Sequence, residues 1–207
     1  MSWYSDNVLP RCINLMMNTA QTRTIRRRVC AGLQGEVVEI GFGTGLNLPY
    51  MPESVSRLYA VEPAQLSVRL ASDRIAASAA AVEVIGLDGQ RIPLPDHSVD
   101  MALCTWTLCT IPDAVAAVRE VGRVLKPGGA LHFVEHGCSP DAPVRRWQER
   151  LNGVQNRLAG GCNLNRDIRG LLESGGLRIQ TIDNFYAKGE PKPFGYLYEG
   201  VATAHAG

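Results

Sequence analysis

Three acids, each in or just after a short apolar run and each within two residues of a glycine or proline, are the residues whose types and spacing could do chemistry. Glu39 opens the stretch Glu39-Ile40-Gly41-Phe42-Gly43-Thr44-Gly45-Leu46-Asn47, Glu62 is followed by Pro63, and Asp88 is followed by Gly89. Glycines at 41, 43 and 45 let the backbone turn sharply and let a ligand lie against it, and a helix start behind them offers unpaired N–H groups. Glu62 lies 23 residues beyond Glu39, where an acid ending the second strand can accept both hydroxyls of a ribose. Together the three acids describe a nucleoside-sized site. The dinucleotide fingerprint would need a glycine where Leu46 stands, and no Lys-Ser/Thr pair follows the glycines as a phosphate loop requires.

The elements that must position these residues alternate. Helical patterning over 8–33 carries Arg11, Arg23, Arg26, Arg27 and Arg28 opposite an apolar face through Leu9, Ile13, Met16 and Met17. Strands are expected at 36–40, 58–61, 82–87, 99–104 and 130–135, with helical stretches between them, of which 64–80 is alanine- and leucine-rich. Asp113 is expected to cap a helix with an inward stripe of Val115, Val118, Val121 or Gly122, and Leu125, closed by Lys126-Pro127-Gly128-Gly129. This is the βαβ alternation of a doubly wound, mostly parallel α/β sheet, whose ligands lie outside the carboxyl ends of the strands.

Beyond the fifth strand the pattern changes. Residues 143–158 place Trp147, Leu151, Val154 and Leu158 on one helical face, 167–174 read as a short helix ending at Gly175-Gly176, and 178–185 and 195–204 read as an antiparallel strand pair at one sheet edge. The division expected is one domain: 1–34 a helical cap, 35–136 the cofactor-binding core, 137–176 acceptor-site helices, 177–207 the strand pair.

Composition narrows the function. With 207 residues, a net charge of +1, 20% charged and 45% hydrophobic residues, the chain is an ordinary globule with no global field to gather nucleic acid. No window holds the roughly 18–20 apolar residues of a membrane span, and the start has neither basic leader nor apolar signal core, so a cytoplasmic address is expected. The six cysteines form no CxxC pair and are expected as free thiols, without structural zinc.

Through Glu39-x-Gly41-x-Gly43-x-Gly45, Glu62, Asp88-Gly89, Ser98-Val99-Asp100-Met101-Ala102 and Arg123-Val124-Leu125-Lys126-Pro127-Gly128-Gly129, the chain resembles the class I S-adenosylmethionine-dependent methyltransferases over roughly 35–136. The resemblance implies a Rossmann-like fold with S-adenosyl-L-methionine as cofactor. Gly41, Gly43 and Gly45 would pass under its methionine part with Asn47 behind them, Glu39 would orient its amino end, Glu62 with Pro63 would hold the ribose, and Asp88 with Gly89 the adenine. Thr105 and Trp106 would line the methyl-donor side.

Cys104-Thr105-Trp106-Thr107-Leu108-Cys109, Val134-Glu135-His136 and Gly161-Cys162-Asn163-Leu164-Asn165-Arg166-Asp167, with Gly195-Tyr196, resemble more narrowly the branch that includes the alkyl thiol methyltransferases. That implies a small, mostly apolar acceptor, a thiol first, with quinones, phenols and lipid amines as alternatives. The acceptor is expected among Trp3, Tyr4, Trp106, His136, Trp147 and the turn at 162–167.

His136 and Glu135 are the candidate catalytic bases, since a sulfonium already carries the activation and the protein must only align the partners and remove a proton. No metal is expected from His132, Glu135 and His136, because Glu135 points to the opposite strand face. No covalent role is expected for Cys109 or Cys162. The N-terminal arginines allow weak contact with an anionic membrane surface, and the oligomeric state is left open. Two other classes fit the same fold: a nicotinamide-dependent oxidoreductase and a non-catalytic cofactor-binding protein.

Overall fold

The computed structural model describes residues 7–86 and 92–204. Strand β1 (Gly35–Ile40) is the middle of the cofactor half, and its residues 37–40 are all buried, as a strand covered on both faces requires. It pairs in parallel with β2 (Val55–Val61) and β4 (Val99–Thr105), aligning Ile40 with Val61 on one side and with Cys104 on the other. The acids and loops that follow these strands therefore emerge at one level. With β3 (Ala81–Val84), β5 (Leu125–His136), β6 (Leu177–Tyr186) and β7 (Tyr196–Ala204), the seven strands run in the order β3-β2-β1-β4-β5-β7-β6. The strand order reverses between β1 and β4, and the crevice at such a reversal is where open α/β sheets bind ligands. β7 runs antiparallel to both β5 and β6.

Two apolar cores lie on the two faces. On one, Val38, Ile40, Cys104, Leu131 and Phe133 meet helix α5 (Ala114–Val124) through Val118 and Val121 and helix α7 (Ile168–Ser174) through Leu171 and Leu172. On the other, Val37, Leu58, Leu103 and Val134 meet helix α2 (Ala20–Cys30) through Ile25, Val29 and Cys30. Helices α1 (Leu9–Met16), α3 (Gln65–Leu70), α4 (Ser72–Ala76) and α6 (Ala142–Leu158) complete the described α-helices. Among the described residues, no helix is long and apolar enough to cross a membrane.

Asp113 caps α5 as expected, accepting from the Ala116 N–H at 3.0 Å. Several elements differ from expectation, β2 among them, which begins at Val55 rather than at 58. The stretch 64–80 holds two short helices, α3 and α4, rather than one. β3 begins at Ala81 and ends at Val84, while 87–91 lie outside the described residues. Leu125, expected on the inward stripe of the helix, and 126–129, expected as the turn closing it, are instead the first part of β5, with Leu125 paired to Val99. Helix α6 is turned so that Trp147, Val154 and Leu158 are exposed and Gln148 is buried. The inward face is polar because it must satisfy buried backbone: Gln148 bonds Gly137 O and Ser139 N, Asn152 accepts from Leu164 N, and Asn156 donates to Gly161 O.

Candidate active site

Glu39 is fully buried at the end of β1, and Asn47 donates to its Oε1 at 2.7 Å. Arg26, on the buried stripe of α2 that also carries Thr22, Ile25 and Val29, reaches the same spot. Its Nη1 donates to Asn47 Oδ1 at 2.6 Å and to Thr105 Oγ1 at 3.3 Å, and its guanidinium stacks 4.8 Å from the centre of the Trp106 ring. Asn47 Nδ2 also donates to Thr105 Oγ1 at 3.0 Å. In this network two buried atoms have no partner: Arg26 Nε and Glu39 Oε2. Such orphans cost about 1–3 kcal/mol each, more when charged, and are rare unless something else fills them. Burial pushes Glu39 up to about 8 against the pull of the Asn47 bond and of Arg26, and burial draws Arg26 down to about 10 against the pull of Glu39.

The glycine loop begins two residues after Glu39. Gly41 and Gly43 both have positive φ, at 72° and 59°, but for different reasons. A Cβ on Gly41 would run into the Thr107 side chain, whereas one on Gly43 would meet nothing nearer than Gly41 O at 3.9 Å. Gly43 therefore faces open space at the crest of the loop. Gly45 packs against Phe42, Leu48 and Ala71. Glu62 holds the loop from the next strand: its Oε2 accepts from the Gly43 N–H at 2.7 Å and its Oε1 from the Ala64 N–H at 2.8 Å. Burial raises the Glu62 pKa against those two bonds. Each oxygen keeps a further lone pair for a ligand hydroxyl. Pro63 is exposed beside it. Asn14 of α1 accepts from Thr44 Oγ1 at 2.8 Å, so the N-terminal helices roof the loop.

Thr105 and Trp106 carry the rim onto β4, where Trp106 has φ 51° and its N–H donates to Val134 O at 2.7 Å. Trp106 closes one side of the crevice against Arg26. His136 ends β5 on the neighbouring strand, two residues past Val134, which pairs with Thr105. Its Nδ1 lies 3.9 Å from Cys162 Sγ, and Cys162 Sγ lies 3.5 Å from Cys109 Sγ. The bond from Cys109, then the neighbouring imidazole, hold the Cys162 thiol below its ordinary range despite burial. All six cysteines are free thiols.

Glu135, the other candidate base, is fully buried and engaged. Its Oε1 accepts from Thr107 N and Leu108 N at 2.9 and 3.0 Å, and its Oε2 from Cys109 N at 3.1 Å. It fastens the loop after β4 to the end of β5. Of the expected acceptor residues, Trp106, His136 and Cys162 gather at the rim, while Trp147 is 53% exposed and stacks with Arg150. Trp3, Tyr4, Asp88 and Gly89 lie outside the described residues. A hollow of about 340 Å³ lined by Arg28, His132, Asp183 and Glu199 sits over the middle of β5, β6 and β7, away from the strand ends.

Comparison with known proteins decides what this rim belongs to. Residues 38–133 match the family model described as "Methyltransferase domain". The chain carries a class I methyltransferase domain. It is 32% identical over 151 residues to a human thiol S-methyltransferase, an alignment covering 69% of this chain and 61% of that protein's length. It is 27% identical over 145 residues to a phosphatidylethanolamine N-methyltransferase of Cereibacter sphaeroides, covering 64% and 68%. The fold matches the crystal structure of an S-adenosylmethionine-dependent methyltransferase from Aquifex aeolicus at a TM-score of 0.66 with 20% identity, covering 93% and 97%.

The cofactor that the family implies is S-adenosylmethionine, and the residues present fit it. Its amino-acid end carries one carboxylate and one ammonium, the complements of the unpartnered Arg26 N–H and Glu39 oxygen. The crest at Gly43 leaves room for a chain of atoms to pass, and Glu62, bonded to the Gly43 N–H, would be the acceptor for ribose hydroxyls. Arg26 is the site residue that sequence reasoning missed. The available signal was its position one residue from Ile25 and three before Val29, inside the buried stripe of a helix whose other arginines face outward.

Proposed function

We propose that this chain transfers a methyl group from S-adenosylmethionine to a small, mostly apolar thiol. The observation that carries the methyl-transfer part is the pair of buried, unpartnered polar atoms, Arg26 Nε and Glu39 Oε2, at the start of a glycine loop whose Gly43 faces open space. The thiol preference is supported by the 32% identity to a thiol S-methyltransferase and by the polarisable sulfur-and-imidazole group at the acceptor end of the rim.

When bound, the cofactor supplies a methyl group already activated by its sulfonium. Arg26 and Glu39 fix the amino-acid end, Glu62 fixes the sugar, and the Gly41–Gly45 backbone sets the height of the chain between them. Trp106 forms an apolar wall that keeps water from the reacting atoms, and the acceptor enters from the side of His136. Catalysis on this reading is mostly alignment, with the acceptor losing its proton at the His136 end of the rim. Glu135, its acceptor sites taken by three N–H groups, anchors the loop and is assigned no base role.

The test is a mass-spectrometric product screen with S-adenosylmethionine and a mixed panel of small thiols, phenols, quinones and amines. A methyl thioether should dominate. Methylation confined to oxygen or nitrogen would replace the thiol assignment, and no methylated product with any class, under conditions where S-adenosylhomocysteine binds, would overturn the enzymatic reading.

A further inference from the structure

Cys109, His136 and Cys162 come from three separate segments, yet their donor atoms all lie within 4.8 Å of one another. Cys109 and Cys162 are 53 residues apart in sequence, so no short motif announces the group. Their thiols are held in place by backbone bonds. Asn163, next to Cys162, sends both its backbone N–H (2.9 Å) and its side-chain amide (3.0 Å) to the Cys109 carbonyl. Arg166 bonds the Leu108 and Ile111 carbonyls on either side of Cys109. Glu135 fixes the Cys109 N–H from beneath, and Asn152 and Asn156 fix the 161–164 turn from α6.

We infer that Cys109, Cys162 and His136 form a three-ligand site for a zinc-class, thiophilic divalent cation whose fourth position is taken by the sulfur of the acceptor. A tetrahedral zinc ion with Zn–S near 2.3 Å and Zn–N near 2.0–2.1 Å sets its sulfurs roughly 3.8 Å apart and sulfur and nitrogen roughly 3.6 Å apart. The structure has 3.5 Å between the sulfurs and 3.9 Å from Cys162 Sγ to His136 Nδ1. Two thiolates and one imidazole are the soft, nitrogen-containing set that selects such an ion over magnesium or calcium. Three protein ligands with one open position is the pattern of a reacting site, whereas structural sites are closed by four. The two cysteines are buried and His136 is only partly so, so the imidazole is the member of the group that solvent reaches.

This inference rests on the thiol reading and says how the thiol is activated. A thiol that coordinates loses its proton outright, to water. The bound sulfur then uses a lone pair to form the new bond to the methyl carbon, the methyl–sulfonium bond breaks, and its electron pair stays on the departing thioether, S-adenosylhomocysteine. The methylated product, now a neutral thioether, is a weak ligand and leaves. Nothing is oxidised or reduced.

The test loads the reduced full-length chain with Zn²⁺ alone or Co²⁺ alone and reads metal content and the cobalt spectrum, neither of which needs turnover. One metal per chain is expected, with an intense sulfur-to-cobalt charge-transfer band. Cys109→Ala, Cys162→Ala and His136→Gln should each weaken binding by more than about 100-fold, beyond what loss of a supporting group costs. Cys12→Ser and Cys138→Ser should leave it unchanged. A small thiol added to the cobalt form should shift the charge-transfer band. Thiol methylation by chain that binds no zinc or cobalt overturns the metal site and leaves the thiol reading standing. A cobalt band that thiols do not move, with methyl transfer to phenols or amines, overturns the thiol reading and the fourth-ligand assignment and keeps the three-ligand site.

Discussion

Arg26 and Glu39 both contact Asn47 from opposite sides, the guanidinium on its oxygen and the carboxylate on its amide, and each leaves one buried polar atom unpaired. A protein interior holds two such groups only at a cost, and on the proposed function that cost would be recovered when a ligand with one carboxylate and one ammonium arrives.

Glu39→Gln should therefore weaken S-adenosylhomocysteine binding while leaving the fold as stable or more so. The amide keeps an acceptor for Asn47 and removes a carboxylate that burial disfavours. A loss of about 10- to 100-fold in affinity corresponds to the roughly 1.5–3 kcal/mol of a hydrogen bond to a charged group. Arg26→Ala should weaken binding at least as much. Calorimetry together with thermal melts of the free proteins measures both halves of the prediction.

Cofactor binding should strengthen with pH up to about 8. In the free protein Glu39, raised to about 8 by burial, is mostly protonated below that pH, and pairing with an ammonium requires it ionised. Binding below pH 8 should release up to one proton, visible as a dependence of the binding enthalpy on buffer ionisation. The sign for stability is opposite: the unfolded chain ionises Glu39 near its ordinary value of about 4.3. This residue's contribution to free-protein stability is then full below that pH and lost as pH rises to about 8. A pH-independent affinity in Glu39→Gln is the control.

Gly41→Ala and Gly43→Ala should separate folding from binding. Both force a side chain into positive φ, at about 1–2 kcal/mol. At 41 the new methyl also collides with Thr107, so stability falls further, whereas at 43 it projects into the open crest and should cost cofactor affinity more than stability. Denaturant midpoints and cofactor titration of the pair decide this.

Glu135→Ala should destabilise by at least about 3 kcal/mol, since three N–H groups of the 107–109 loop lose their acceptor. His136→Ala should instead lower kcat far more than it weakens cofactor binding. Glu135→Gln that folds but loses turnover at unchanged His136 geometry would reinstate Glu135 as a reacting group.

The glycine loop and its flanking strands were legible because short-range chemistry decides them: β-branched runs buried on both faces, then glycines at positive φ. Glu62 could be placed from its distance along the chain, but its grip on the Gly43 N–H could not. Arg26 was hidden among neighbouring arginines, because the turn of α2 onto the sheet is fixed by packing around Ile25 and Val29 rather than by charge. The apolar residues of α6 misled for a similar reason. Trp147, Val154 and Leu158 match a helical stripe, but the buried carbonyls and amides of the 137–139 and 161–164 segments claim Gln148, Asn152 and Asn156 for the inner face. The approach of Cys109 to Cys162 depends on that same long-range docking and left no local trace.

The most direct measurement is a crystal structure of the chain with S-adenosylhomocysteine. The ligand's carboxylate should lie on Arg26 Nε, its ammonium on Glu39 Oε2, its chain over Gly43 and its ribose hydroxyls on Glu62. A ligand bound elsewhere, or seated on the rim with Arg26 and Glu39 still unpaired, would contradict this placement.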